Sequence, residues 1–144
     1  CDDNARKLSK EAAVRREWVD EDFLRLAQIM KEENHYIQDK KMDFEALLKK
    51  LNPHKHLFIT LLSNPILLEH DDFSDLLMTI FHLHDELKTR LEFGATEEDI
   101  EHLTFDAERS YGLLASQWVL YMLHLKNDYP YLYATAIKEN PYTV

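Results

Sequence analysis

The sequence predicts an all-α fold, an antiparallel bundle of four to six helices with a short C-terminal helix. Three observations carry that expectation. Apolar side chains recur at steps of three and four residues almost throughout the chain. Gly and Pro are scarce, 2 and 4 among 144 residues, which disfavours folds that turn often, such as sandwiches and barrels. The few breakers that occur stand between apolar runs, where helices should stop. The length suits one domain, 1–144. Within it, residues 1–43 are expected to form N-terminal helices and 44–142 the main bundle.

Each element has a local reason. Leu8, Ala12, Arg15 and Val19 sketch a weakly amphipathic first segment. Asp20 can cap a second, with Phe23, Ala27 and Met30 on one face. Asp43 precedes Phe44, Leu47, Leu48 and Leu51, a short third helix. Asn52-Pro53 and Asn64-Pro65 both read as a stop and restart, because Asn caps well and Pro fits the first helical position. Asp72 can cap the next helix, whose broad apolar face includes Phe73, Leu76, Leu77, Ile80, Leu83 and Leu87, and the Gly94 region breaks it. Thr96 and Asp99 resemble a capping box. The following stripe runs Ile100, Leu103, Ala107, Tyr111, Leu114, Trp118, Tyr121 and Leu125, and a bundle is expected to bury it. Gly112 lies inside this segment and can allow a close crossing. Pro130 ends it, and a final helix should run to about Glu139.

Charge narrows the partners. The formal net charge is −10. Residues 1–55 balance acid against base, so residues 56–144 carry the whole excess. Such a surface repels phosphate, and nucleic acid is not an expected partner. Cys1 is the one cysteine, which excludes an internal disulfide and a thiolate cluster. A chain starting at Cys has one processed form in a lipid-anchored envelope protein, an alternative reading tethered at Cys1. No segment reaches the 18–20 or so apolar residues that cross a bilayer.

Candidate chemistry is thin. Helical di-iron sites use Glu-x-x-His pairs. Glu32 and His35 fit that spacing, Asp99 and His102 imperfectly repeat it, and His82 with Glu86 could add ligands. Glu32 and Asp99 stand in charged surroundings that favour solvation over ligation. His82 and His84 lie about 200° apart around a helix axis, so one should flank the core and the other face solvent. The serines lack a nucleophile-elbow context, and Glu69, Asp71, Asp72 and Asp75 lack the pattern of a calcium loop. The expectation is a non-enzyme with no catalytic residue, no cofactor, no metal ligand and no small-molecule ligand. Six of the seven tyrosines fall at or after Tyr111, and the final segment is expected to cover the end of the bundle.

The stretches LNPHKHLFITLLSNP (51–65), FSDLLMTIFHLHDEL (73–87) and QWVLYMLHLKNDYPYLYATAIKENPY (117–142) are similar to the soluble C-terminal helical region of small prokaryotic ion-channel or potassium-channel-like membrane proteins. The resemblance implies an accessory, regulatory or assembly domain at the cytoplasmic face of a membrane. Its implied partners are an upstream membrane segment of the same polypeptide and further copies of itself. The alternative is a helical-bundle metal-binding protein or enzyme of the di-iron type using Glu32, His35, His82, Glu86, Asp99 and His102.

Overall fold

The computed structural model describes residues 14–32 and 42–139. The fold is all-α. The helices are α1 (Asp20–Glu32), α2 (Phe44–Leu51), α3 (Lys55–Leu62), α4 (Pro65–Leu68, one turn), α5 (Asp71–Phe93), α6 (Glu97–Asp128) and α7 (Pro130–Lys138), with a 3-10 turn at Asn52–His54.

The boundaries follow local chemistry, with some reassignments. The Asp43 carboxylate accepts from Ala46 N at 2.8 Å and starts α2. Asn64 accepts from Ile66 N at 3.0 Å and starts α4, with Pro65 at its first position. Thr96 and Asp99 form the reciprocal box: Thr96 N donates to Asp99 Oδ2 at 2.8 Å, and Asp99 N donates to Thr96 Oγ1 at 3.2 Å. Gly94 takes φ 92°, a left-handed value that ends α5 without a side-chain penalty. Pro130 opens α7.

At α1 the capping acid is Asp22, which accepts from Val19 N at 3.0 Å, as the third-residue acid of a capping box does. Asp20 instead binds Lys126 and Asn127. The expected first helix does not extend through Arg15 and Val19: residues 14–19 form a turn and irregular chain, while 1–13 lie outside the described residues. At α5 the N-cap position belongs to His70, and Asp71 and Asp72 sit in the first turn, where the helix dipole favours acids. Asn52 does not act as a cap before Pro53; its side chain is engaged elsewhere, as described below.

The chain packs as two compact units. Among the described residues, one holds 14–32 with 114–139. Its core joins Phe23, Met30, Val119, Met122 and Leu125, with Tyr133 arriving from α7. Trp18 meets Phe23 edge-on at 5.4 Å, and Lys126 Nζ lies 5.6 Å from the centre of the Phe23 ring. The Tyr133 hydroxyl donates to Arg15 O at 3.1 Å. Burial, with the nearby Glu17 charge, pushes the Tyr133 phenol above its ordinary pKa. The expected tyrosine cover is therefore one residue deep: Tyr133 is buried, whereas Tyr129 and Tyr131 are exposed.

The second unit holds 42–113. Here Leu83 and Leu87 of α5 meet Leu103 and Ala107 of α6, with Phe44, Leu47 and Leu48 of α2 against them. Leu76, Ile80 and Leu113 form a second apolar cluster with Phe58 of α3. Cross-helix pairs fix the register of α5 with the first half of α6. Arg90 reaches Asp99 at 3.1 Å, and Arg109 reaches Asp75 at 3.0 Å. As one partner number falls the other rises, which is the pattern of an antiparallel hairpin.

The long stripe of α6 is not buried as expected. Leu103, Ala107 and Leu125 are buried, but Ile100, Tyr111, Leu114 and Tyr121 are exposed and Trp118 is half-buried. The buried positions include Leu103, Asp106, Ala107, Ser110 and Leu113 in the first half, and Ala115, Ser116, Val119, Met122 and Leu125 in the second. Tyr111, Leu114 and Tyr121 of the stripe belong to neither set. A 3.6-residue period reveals a face but not that the buried face changes along one helix.

Candidate functional site

Among the described residues, His82, His102 and Asp106 are the group whose ligand-type atoms converge, all within 4.8 Å of one another. His102 and Asp106 stand four residues apart on α6 and so share a face. His82 comes from α5, and the antiparallel register set by Arg90–Asp99 and Asp75–Arg109 brings it opposite. His82 Nε2 lies 3.6 Å and His102 Nε2 3.4 Å from Asp106 Oδ2. The imidazole rings are nearly perpendicular, their centres 6.5 Å apart.

Burial is uneven across the three. Both histidines are more than half exposed, while the Asp106 side chain retains 10% of its accessible surface. Asp106 Oδ2 is buried with no hydrogen-bond partner, and so is Ser110 Oγ one turn further along α6. A buried carboxylate oxygen without a donor is costly, so it needs a positive charge or a coordinating ion.

The other polar cluster of this unit is closed. His84 is buried, as the 200° offset from exposed His82 requires. Its Nε2 lies 2.8 Å from Asn52 Oδ1 and its Nδ1 3.0 Å from Asp85 Oδ1. Lys55 Nζ donates to the same Asp85 oxygen at 3.1 Å. Burial pushes the Asp85 carboxyl up, but the hydrogen bonds from Lys55 and His84 outweigh it and hold the group below the ordinary carboxylate range. Both nitrogens of the ring are engaged, so this network serves packing.

Among the described residues, the di-iron set considered from sequence does not assemble. Glu32 is exposed and accepts from Gln28. Glu86 pairs with Arg90 at 3.2 Å. Asp99 serves the α6 cap and Arg90, and the backbone hydrogen bond from Thr96, followed by its side-chain bond, lowers the Asp99 pKa. His35 lies outside the described residues. Of its described members only His82 and His102 meet, and their third partner is Asp106, which sequence reasoning passed over. The signal was available: folding the chain about Gly94 sets His82 against the 102–106 turn, where His102 and Asp106 have chelating i, i+4 spacing. No helix among the described residues is long and apolar enough to cross a membrane.

Comparison with known proteins gives two matches. A family model described as "Uncharacterized protein MJ1433, C-terminal helical domain" matches residues 1–138. Uncharacterized protein MJ1433 of Methanocaldococcus jannaschii is 37% identical over 127 residues, which is 88% of this chain and 51% of that protein. The chain thus spans about half the length of the relative it matches. Neither description carries an ion-channel or membrane term. No solved structure matches. An all-helical chain matched over nearly its whole length by this model belongs to the family of MJ1433 C-terminal helical domains.

Proposed function

We propose that the chain is a non-catalytic accessory domain of a longer polypeptide, acting in assembly or in passing a conformational bias to another part of it. The observation that carries this reading is the surface of the first unit. Leu114, Tyr121, Tyr129, Tyr131 and Leu132 are each half or more exposed, Tyr131 at 85%. Tyr is favoured where one side of a ring is buried against a partner and the other stays wet. The partner of this surface is a second copy of the chain. A relative nearly twice as long as the matched region supports an accessory role.

The narrower reading is a regulatory or assembly domain at the cytoplasmic face of an ion-channel-like membrane protein. It draws on the similarity of residues 51–65, 73–87 and 117–142 and includes an upstream membrane segment in the same polypeptide. Light scattering tests the assembly role. A solution mass of two or more chains, falling to one in a Tyr131→Glu/Leu132→Glu variant, is expected. A single-chain mass for the intact domain overturns self-association. Recovery of the complete polypeptide in the soluble fraction of its native cell overturns the membrane reading.

A further inference from the structure

The geometry points to a site for one divalent transition-metal ion, of the class Zn2+ and Co2+ represent, formed by His82 Nε2, His102 Nε2 and a carboxylate oxygen of Asp106. It stands independently of the accessory role, and it departs from the expectation that no residue of this chain is a metal ligand.

Four observations converge. The first is the orphaned oxygen. Asp106 Oδ2 is buried and makes no hydrogen bond, although two imidazole nitrogens lie 3.4 and 3.6 Å away. A cation between the three groups satisfies all of them at once. The second is spacing. Zinc bonds to imidazole and carboxylate run about 2.0–2.2 Å, and a tetrahedral angle then sets neighbouring donor atoms about 3.3–3.6 Å apart. Both His–Asp separations match that, and the third edge already lies within 4.8 Å. The third is ligand type: two imidazoles with one carboxylate suit borderline first-row ions better than calcium or magnesium, which prefer oxygen-only shells. The fourth is access. The half-exposed histidines let an ion enter from solvent and leave a fourth position to water.

The site exists only when α5 and the first half of α6 are paired, because His82 belongs to one helix and His102 and Asp106 to the other. An ion bound there favours the folded hairpin over the unfolded chain. His124 and Asp128 supply an internal contrast. They also stand at i, i+4, but they pair directly at 2.8 Å and belong to no three-ligand group among the described residues.

The test uses the purified chain, stripped of metal with a chelator. Co2+ titration followed by its tetrahedral ligand-field absorption, and Zn2+ titration by calorimetry, should each show one ion per chain. Zn2+ should raise the melting temperature. His82→Ala and His102→Ala remove exposed side chains and leave the metal-free fold intact, which circular dichroism checks. Each should weaken binding at least about tenfold, the lower end of what even outer-shell changes cause. Asp106→Asn should do the same, and His124→Ala should bind as the parent does. Absence of saturable binding overturns the proposal. Stoichiometric binding that survives both histidine substitutions, or that His124→Ala abolishes, overturns it equally.

Discussion

In the first unit, Phe23, Met30, Val119 and Met122 are almost wholly withdrawn from water, and the Tyr133 hydroxyl that enters the same core finds a carbonyl. In the second, the most buried side chains include His84, and Asp106 and Ser110 bring in polar atoms that find no hydrogen-bond partner. One helix, α6, contributes to both. Its second half supplies Ala115, Val119 and Met122 to an aromatic and aliphatic core, and its first half supplies Leu103 and Ala107 beside Asp106. The difference separates two uses of the same element. A core of apolar contacts gives stability without chemistry. A core edged with histidine and carboxylate accepts an electrostatic cost, and such costs persist where a ligand or a network repays them.

The largest expected effects come from the apolar cores. Phe23→Ala should cost about 3–5 kcal/mol and Leu87→Ala about 2–5 kcal/mol, the usual ranges for fully buried side chains. Denaturant unfolding measures both. Trp118→Ala should cost less than Phe23→Ala, because the Trp118 ring is half-buried and not enclosed as the continuous stripe implied. Hydrogen exchange sharpens the comparison. Phe23→Ala should release α1 and residues 115–125 ahead of α2 and α5. If every amide responds alike, the two units form one cooperative body and the comparison loses its energetic meaning.

Next in size is the closed polar network. His84→Ala and Asn52→Ala should each cost about 1–3 kcal/mol, since either leaves a partner short of a hydrogen bond. The double variant should cost less than the sum, which a double-mutant cycle resolves. Full additivity would mean that the two side chains do not act together.

Smaller again is the one hydroxyl that ties α7. Tyr133→Phe keeps the ring against Phe23 and loses only the hydrogen bond to Arg15 O, for about 0.5–1.5 kcal/mol. Deletion of residues 130–144 should cost more, because it takes the ring as well. Equal losses in melting temperature would assign the tail's whole contribution to that single hydrogen bond.

The smallest effect is acid sensitivity. The hydrogen bond from Lys126, then that from Asn127, lowers the Asp20 pKa in the first unit. Asp85 and Asp99 are lowered in the second. A carboxylate whose folded pKa lies below its unfolded value stabilises the fold above the unfolded value, near 4. That contribution is lost as the pH falls through the lowered folded values. Melting temperatures measured from neutral pH down through the carboxylate range should decline, and Asp99→Asn should flatten part of the decline. An unchanged acid slope would show that the Thr96–Asp99 cap contributes nothing measurable.

The sequence by itself determined the helices and most of their ends. Asp43, Asn64, Pro65, Gly94, the Thr96–Asp99 box and Pro130 act on backbone groups within a few residues, so their effect is readable from neighbours in the chain. It also determined that His82 and His84 face opposite ways, because that follows from helix geometry alone. Only the tertiary structure decided which buried face each half of α6 uses, since a hydrophobic period says that a face exists and not which neighbour it meets. The same holds for the polar partners. Asn52 is a good cap by type, yet packing against α5 places it on His84, thirty-two residues away. Glu86 and Asp99 had ligand spacing within their own helices, yet Arg90 takes both. In the sequence Asp106 is one more acid on a charged helix. The register of α5 against α6 buries it and sets two imidazoles beside it, and register is a sum of many cross-helix contacts that no single stretch of chain contains.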